Sequence, residues 1–461
     1  IELLESLGYI INYEKSWLEG YQILKYLGMI LNTLSMTVYL PQEKITAIQS
    51  LGRALLDSEK VKIRTYASFI GMCVATFQGN KYGPLHSKCL EQGKIEALDS
   101  NGQDFDAFML LSEKERNEIL WWINNVHKCY QDILIPEPDK VIYTDSSKSG
   151  YGFHEPSSGK KGGGQWTEQE SKDHINVLEL RSARFALQAC YHGNKNLHIR
   201  VFSDNTATVS SISHQGSVRS KACNVEAQKI WEWAEERNCW LSAAHVPGVQ
   251  NQDADEKSRK FNKDSEWSLN SEIFRFLCQE FGTPDIDLFA SRLNHKVETF
   301  CSWEPEPGAA FVDAFMVDWR QFNLPYIFCP FSVIPQVLQH LDRYSTSAIM
   351  VAPYWPTQTF FSTMTSMLTS VPILIPVKDR TLSLVHNQAE KHPLTGKLKL
   401  VAMTLSGDHC ETEVFLDRYR KSCRMPEGLA PRNNTKFTSD SGINIVINGE
   451  RVKLRQLSLK Y

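Results

Sequence analysis

The sequence predicts an α/β protein of several domains, and three observations lead to this fold class. The chain has 461 residues, enough for about three domains of ordinary size. Hydrophobic residues make up 42% and charged residues 22%, a globular balance with material for several cores. Strand-like apolar runs alternate with helical patterns over residues 138–262 and again over 263–405. That alternation is typical of α/β domains.

The first 137 residues predict a small sheet followed by a helical module. Residues 1–40 contain short strand-like runs with turns, as in "GYIINYEKS" and "QILKYLGMIL". Residues 41–137 read as mainly helical, with Pro41 at a helix start. In the helix "LSEKERNEILWWINNV", Ser112 and Glu115 have the spacing of a capping box. Its apolar stripe is formed by Ile119, Trp122, Ile123 and Val126.

The remaining two thirds of the chain divide into two α/β regions and a tail. After the linker "PEPDK", the runs "VIYTD", "YGFH", "NVLELRSARFALQAC", "LHIRVFSDN" and "CWLSAAHVPG" give strand, strand, helix, strand and strand. The runs "PDIDLFAS", "YIFCPFSVIPQVLQHL" and "AIMVAPYWP" begin a second α/β region. Residues 406–461 are expected to be loosely ordered, except for a hairpin that could turn at Asn448 and Gly449.

Composition limits the function classes. The formal net charge of −3 offers no global attraction to nucleic acid, so any such surface must be local. Eleven cysteines without a CxxC pair favour reduced thiols in an intracellular protein, in cytoplasm or nucleus. The chain has no leader-like start and no run of eighteen apolar residues, so no membrane association is expected. Since it begins at Ile1, we expect a fragment of a longer polyprotein.

Four acidic residues occupy positions where α/β domains place chemistry. Asp145 and Asp204 each end a predicted strand, Glu179 lies in a predicted helix, and Asp255 lies in a loop. Each has an ordinary alternative: the aspartates could form turns or cap helices, and Glu179 could face solvent. If the four converge, however, their mutual repulsion requires hard cations, which favours Mg²⁺. Two such ions can activate water and stabilise the leaving oxygen of a phosphodiester.

A histidine accompanies the carboxylates. His245 precedes Asp255 by ten positions, in the glycine-containing loop "HVPGVQ". An imidazole there could carry protons or assist product release, or it could simply hydrogen-bond the loop.

The order Asp, Glu on a helix, Asp and then "HxPGxxNxxAD" resembles the ribonuclease H domain of reverse transcriptases, over about residues 138–260. The resemblance implies a mixed sheet with helices. It implies that Asp145, Glu179, Asp204 and Asp255 bind two Mg²⁺ ions, with Mn²⁺ as an alternative, and that His245 is an auxiliary catalytic residue. The implied substrate is an RNA–DNA hybrid, held through phosphates and 2′-hydroxyls. The candidate phosphate contacts, each of which could equally be an ordinary surface charge, are Lys148, Lys160, Lys161 and Arg219.

The flanking regions narrow this resemblance to DIRS-like and Ngaro-like retroelement polyproteins. Residues 1–40 resemble the end of a reverse transcriptase palm, and residues 41–137 its thumb and connection. No "YxDD"-like stretch is present, so the polymerase aspartates would lie in an upstream segment, which is an expected partner.

Residues 263–405 resemble a Dam-like adenine methyltransferase in a degenerate form. Asp287 is the candidate ligand of a methyl donor, whereas Phe328 stands where the family has a polar residue. The expected activity is therefore cleavage of RNA in hybrids. Two alternatives stay open: a non-enzymatic nucleic-acid-binding remnant, and a DNA adenine methyltransferase with an attached nuclease fold.

Overall fold

The protein has a mixed α/β architecture with several sheets, as the sequence predicts. The structure is a computed structural model that describes residues 1–17, 19–261, 267–387, 390–423 and 438–458. Its α-helices are α1 (Glu2–Ser6), α2 (Gln42–Asp57), α3 (Ile63–Val74), α4 (Lys88–Ser100), α5 (Glu113–Asn125), α6 (Ile175–Tyr191), α7 (Thr206–Ser213), α8 (Lys221–Glu236), α9 (Gln252–Arg259), α10 (Ser271–Phe281), α11 (Ile334–Tyr344), α12 (Thr359–Ser366) and α13 (His409–Cys423).

The strands belong to two larger sheets, a four-stranded sheet and several two-stranded ribbons. They are β1 (Ile23–Tyr26), β2 (Met29–Asn32), β3 (Thr37–Tyr39), β4 (Val61–Lys62), β5 (Phe108–Met109), β6 (Tyr130–Asp132), β7 (Lys140–Ser146), β8 (Gly150–Glu155), β9 (Lys160–Gln165), β10 (His198–Ser203), β11 (Trp240–His245), β12 (Trp267–Leu269), β13 (Ile286–Asp287), β14 (Cys301–Ser302), β15 (Phe311–Val312), β16 (Pro325–Ile327), β17 (Ser347–Pro353), β18 (Ile373–Pro376), β19 (Leu382–Leu384), β20 (Lys399–Ser406), β21 (Thr438–Ile447) and β22 (Glu450–Leu457).

The chain forms two compact units, a division that does not test the bounds of the five predicted segments. The first comprises residues 1–140, 195–200 and 206–243, and the second comprises the described parts of 141–194, 201–205 and 244–461. The predicted segment boundaries, at residues 40, 137, 262 and 405, therefore remain predictions. Within the described residues, no helix combines the length and apolar character needed to cross a bilayer.

The first unit contains the small sheet and the helical module. Its sheet has the order β1-β2-β3-β6, with antiparallel neighbours throughout. The capping box at the start of α5 is confirmed, because the amide of Glu115 donates to Ser112 Oγ and the amide of Ser112 donates to Glu115 Oε2. The predicted apolar stripe of α5 is buried in the core of this unit, at Ile119, Trp122, Ile123 and Val126.

The seven-stranded sheet of the second unit has the order β13-β16-β17-β20-β18-β22-β21. Strands β13, β16 and β17 are parallel neighbours, whereas β20 pairs antiparallel with β17. Alternate residues of β17 enter two different cores: Ala348 and Met350 join one, while Ile349 and Val351 join the other. Both faces of this strand are thus covered, as expected for a strand that reads as a continuous apolar run.

The C-terminal tail is more regular than the sequence predicts. Residues 406–461 were predicted to be loosely ordered, but the described part contains helix α13 and the β21–β22 hairpin. The hairpin turns at Asn448 and Gly449, which both have positive φ. Strand β22 pairs in parallel with β18, with Ile373 opposite Arg455, and this distant pairing has no local signal in the sequence. The stretch "GLAPRNNTKF" lies outside the described residues.

The five-stranded sheet carries the predicted strand-end carboxylates, in the order β11-β10-β7-β8-β9. Strands β7, β8 and β9 form an antiparallel meander. Between β7 and β8, Ser147 Oγ accepts from the amides of Ser149 and Gly150, so these small residues form a tight turn.

Helix α9 lies directly on the backbone of this meander. A Cβ at Gly152 would stand 2.5 Å from the amide nitrogen of Ser258 and would also clash with the carbonyl oxygen of Ala254. A Cβ at Gly163 would meet the Lys257 carbonyl oxygen at 2.8 Å. Glycine is therefore required here because of the close approach of the helix to the sheet.

Gly152→Ala should lower the free energy of unfolding by about 1–3 kcal/mol, since backbone atoms of α9 cannot yield as a flexible side chain would. Urea denaturation measures this change. Gly193→Ala is the matched control, because a Cβ at Gly193 meets nothing within 4 Å. Equal stability of the two variants would contradict the close packing of α9.

Candidate metal centre

Three of the predicted carboxylates converge. Asp145 lies near the end of β7, Glu179 lies in α6, and Asp204 directly follows β10. One oxygen atom from each lies within 4.8 Å of the others. Asp145 and Glu179 are buried, whereas Asp204 is exposed, so the group opens to solvent on one side.

Small residues bring α6 against the sheet. Ser182, Ala183 and Ala186 are fully buried, as expected if this face of the helix approaches the strands closely. The hydroxyl of Ser182 donates to the carbonyl oxygen of Asp145 at 2.7 Å, which joins α6 to the end of β7. Glu179 lies one turn earlier and is buried, so the alternative of a solvent-facing Glu179 is wrong.

The carboxylates repel one another in this arrangement. Burial, reinforced by the charges of Asp145 and Asp204, raises the pKa of Glu179 to about 9. Burial likewise raises the pKa of Asp145 to about 6, with contributions from Asp204 and Asp255, although a hydrogen bond from Ser258 opposes the rise. Glu179 Oε2 is buried and has no hydrogen-bond partner among the described residues.

These properties fit a divalent cation. Hard oxygen ligands and an excess of negative charge are what Mg²⁺ and Mn²⁺ require, and Mg²⁺ commonly keeps several waters in an open site. The orphaned oxygen of Glu179 would gain a partner, and the repulsion among the three carboxylates would be relieved.

Asp255 lies near this group but is not part of it. It sits in the first turn of α9, its charge contributes to the raised pKa of Asp145, and its Oδ1 accepts from Arg259 Nε at 2.7 Å. A role as fourth metal ligand therefore remains a prediction.

His245 is the last residue of β11 and is exposed. The adjacent amide of Val246 donates to the carbonyl of Ser203, directly before Asp204, at 3.1 Å. The following loop also passes Asp204, since a Cβ at Gly248 would stand 3.4 Å from Asp204 Oδ2. The loop that follows His245 therefore runs beside Asp204, while the catalytic role of His245 remains a prediction.

Two polar side chains for which the sequence indicates no role hold the site together. Ser258 Oγ donates to Asp145 Oδ2 at 2.6 Å across 113 positions, and it is fully buried. Asn251 Nδ2 donates to the carbonyl of Thr144 at 3.0 Å and so fixes the loop before α9 to β7. Asn251 belongs to the quoted motif, but nothing near Ser258 in the sequence indicates its partner.

The four predicted phosphate contacts are all exposed. Lys148 Nζ donates to the carbonyl of Asp173 at 2.7 Å, and Lys161 pairs with Asp253 at 2.6 Å. Lys160 and Arg219 lie on the surface, and contact with phosphate remains a prediction for all four.

Asp287, the predicted methyl-donor ligand, ends β13 beside Tyr326 of the parallel strand β16. Its side chain is only 3% exposed, and Oδ2 accepts from the amide of Lys296 at 2.9 Å. Burial raises the pKa of Asp287 to about 7. Oδ1 has no hydrogen-bond partner among the described residues, so this carboxyl has one unused acceptor. Cys329, which follows Phe328, is buried, and burial raises the pKa of its thiol to about 12.

No protein-family model matches the chain, and no curated protein matches its sequence. The chain resembles a foamy viral protease–reverse transcriptase, dRH form, in complex with double-stranded DNA, with a TM-score of 0.25 and 15% identity over 53% of this chain and 42% of that chain. It resembles RNase H1 from the halophilic archaeon Halobacterium salinarum NRC-1, with a TM-score of 0.22 and 17% identity over 26% of this chain and 92% of that chain. It also resembles the foamy viral protease–reverse transcriptase in complex with an RNA/DNA hybrid, with a TM-score of 0.21 and 13% identity over 54% of this chain and 33% of that chain. The chain thus spans less than half of the foamy viral chains it matches.

Proposed function

We propose that this chain is a metal-dependent nuclease of the ribonuclease H type, which cuts the RNA strand of RNA–DNA hybrids. The observation that carries the proposal is the convergence of Asp145, Glu179 and Asp204 within 4.8 Å. Clustered carboxylates of this kind are typical of two-metal phosphodiester chemistry. The motif "HxPGxxNxxAD" supports the proposal. So does the five-stranded sheet, in which β7, the strand that contains Asp145, lies beside β10, the strand that Asp204 follows.

Asp145, Glu179 and Asp204 would hold the ions, with Asp255 as a fourth ligand from α9. The chemistry supplied by two bound Mg²⁺ ions, or by Mn²⁺ in their place, is activation of a water and stabilisation of the leaving oxygen of a phosphodiester. Since the pKa values of Asp145 and Glu179 are raised, these groups give up protons to solvent as the cations bind.

The other residues orient this centre and move protons. Ser258 donates to one oxygen of Asp145 and so would hold this carboxylate in a fixed orientation. His245 stands exposed at the end of β11, next to the strand that Asp204 follows, and would carry a proton to or from the phosphodiester. Lys148, Lys160, Lys161 and Arg219 would contact phosphates, which bind the hybrid without reading its sequence.

The proposed context is a DIRS-like retroelement polyprotein. In that context the upstream segment would contribute the polymerase aspartates and help to hold the hybrid. The Dam-like region has one feature that favours ligand binding, the unused acceptor of Asp287. Binding of a methyl donor by the full chain, lost in Asp287→Ala, would support that second role, and methyl transfer to DNA would revive the methyltransferase alternative.

The wild-type chain should cut a labelled RNA–DNA hybrid in millimolar Mg²⁺ or Mn²⁺ and should be inactive in EDTA. Only the RNA strand should be cut, because a ribonuclease H centre recognises 2′-hydroxyls. Gel analysis with either strand labelled measures this, with RNA–RNA and DNA–DNA duplexes as controls. Metal binding without cutting would favour the non-enzymatic remnant or a need for the upstream segment. The absence of both would contradict the proposal.

A further inference from the structure

Helix α9 buries few of its own side chains, so this burial contributes little to holding the helix in place. It has eight residues, and the buried ones are Ala254 and Ser258, both small. An isolated helix of this length is unstable in water, and two small side chains bury little apolar area. The position of α9, which carries Asp255 and Ser258 to the candidate metal centre, must therefore depend on other contacts.

Helix α9 is tied to the sheet beneath it by a few polar contacts, since Lys161 of β9 pairs with Asp253 at 2.6 Å and Ser147 Oγ donates to the carbonyl of Ser258 at 2.6 Å. The backbone of α9 rests on Gly152 of β8 and Gly163 of β9. Glycines offer no side-chain ridges into which a helix could interlock, in contrast to ordinary helix packing. The glycine contact lets the helix approach the sheet closely, and the register of α9 then depends on its polar contacts.

A segment of the Dam-like region supplies a further polar contact to α9. Lys257 Nζ of α9 lies 2.5 Å and 2.7 Å from the two carboxylate oxygens of Glu304. Glu304 is itself restrained, because Ser302 Oγ donates to its carbonyl oxygen at 2.5 Å. The next residue is equally close to the sheet, since a Cβ at Gly162 would stand 2.5 Å from the carbonyl oxygen of Pro305.

Arg292 anchors the same segment at a second point. Its guanidinium donates to both carboxylate oxygens of Glu170, at 3.2 Å and 3.1 Å, and to the carbonyl of Gln165 at the end of β9, at 2.8 Å. The group also lies over the Phe185 ring, 4.8 Å from its centroid, on helix α6. Residues 292–305 are thus tied to the meander at one end and to α9 at the other.

We propose that Glu304 is a positioning residue for the carboxylate centre. It holds Lys257 and thereby contributes, together with the contacts of Asp253 and Ser258, to the position of α9, which keeps Ser258 on Asp145 and Asp255 beside it. This role rests on the proposed nuclease function. It means that the Dam-like region is required for full metal affinity at a centre to which it contributes no ligand.

The test compares Glu304→Lys with the charge swap Lys257→Glu/Glu304→Lys. Two properties are measured: Mn²⁺ binding without substrate, by electron paramagnetic resonance of the free ion, and the Mg²⁺ concentration that gives half-maximal cleavage. Glu304→Lys should weaken both about three- to tenfold, somewhat less than the loss of a group that directly contacts a metal ligand. Cleavage at saturating Mg²⁺ should stay within about twofold, and the swap should restore metal affinity.

Asp379→Lys is the matched control, because it also reverses the acidic member of an ion pair in the same region, here the exposed pair with Lys391. It should leave metal binding unchanged, and the thermal unfolding midpoint of every variant should stay close to the wild-type value.

Unchanged metal affinity in Glu304→Lys, or a swap that restores nothing, would overturn the positioning role alone. A wild-type chain that binds no Mn²⁺ would instead overturn the metal centre, and with it this role.

Discussion

Asp145→Asn should reduce cleavage of an RNA–DNA hybrid by about 10³-fold or more, while the affinity for the hybrid stays within about threefold. The side chain keeps its shape, but a neutral amide replaces a carboxylate that stands within 4.8 Å of Glu179 and Asp204. Metal-assisted stabilisation of the transition state is worth several kcal/mol, and each 1.36 kcal/mol is a factor of ten in rate. Single-turnover cleavage and fluorescence anisotropy of a labelled hybrid measure the two quantities.

Asp417→Asn provides the control for Asp145→Asn. Asp417 is an acidic residue of α13 whose Oδ1 lies 3.2 Å from Arg420 on the surface. This substitution changes the net charge equally and should leave cleavage within about twofold, as is usual for a surface ion pair. Retention of more than a tenth of the activity by Asp145→Asn would show that the three carboxylates are not the reaction centre.

The same two measurements distinguish a nuclease from the main alternative function. A non-enzymatic nucleic-acid-binding remnant would bind the hybrid equally well as the wild-type chain and as the Asp145→Asn variant, and neither protein would cut it. A nuclease should instead cut as the wild-type chain, and its Asp145→Asn variant should keep binding and lose cutting, because the substitution removes an interaction that acts in the transition state.

Local patterns in the sequence predicted local structure well. The capping box at Ser112 and Glu115 depends on two residues that are three positions apart. Three of the four acidic residues also converge as expected, because a strand end or a helix face fixes where each of them lies.

Interactions between distant segments could not be predicted in this way. Ser258 is an ordinary serine in the sequence, and it reaches Asp145 because α9 packs across the meander. Similarly, the tail has a polar, turn-rich composition, yet β22 is ordered by pairing with β18, some eighty positions earlier. The pairing of Lys257 with Glu304 joins two regions that look independent in the sequence. In each case the decisive partner lies in a different element.

Without metal, the carboxylate centre should make the protein less stable as the pH rises. Glu179 and Asp145 have pKa values raised to about 9 and about 6, so the folded chain binds more protons than the unfolded chain between about pH 4 and pH 9. Stability falls with pH wherever the folded state binds more protons. Protonated carboxyls relieve the repulsion at low pH, and cations would relieve it at high pH.

Glu179→Gln should therefore stabilise the metal-free protein at pH 8 by about 1–3 kcal/mol, while changing it little at pH 5. The amide has nearly the same shape as the carboxyl, carries no charge and can donate to the neighbouring carboxylates of Asp145 and Asp204. Thermal unfolding in EDTA at the two pH values, at constant ionic strength, measures this difference. A lower unfolding midpoint for Glu179→Gln at pH 8 would contradict the repulsion.

Added Mg²⁺ should make the wild-type chain more stable than Glu179→Gln, which reverses their order of stability in EDTA. Millimolar Mg²⁺ at pH 8 should raise the unfolding midpoint of the wild-type chain, because an ion that binds only the folded state stabilises it by about 2.7 kcal/mol at a hundred times its Kd. The rise should be much smaller in Glu179→Gln, which lacks one of the three converging carboxylates. An equal rise of the unfolding midpoint in both proteins would show that the ions bind at another site. The expected reversal would show that the carboxylates that repel one another in the folded state are the ones that bind the metal.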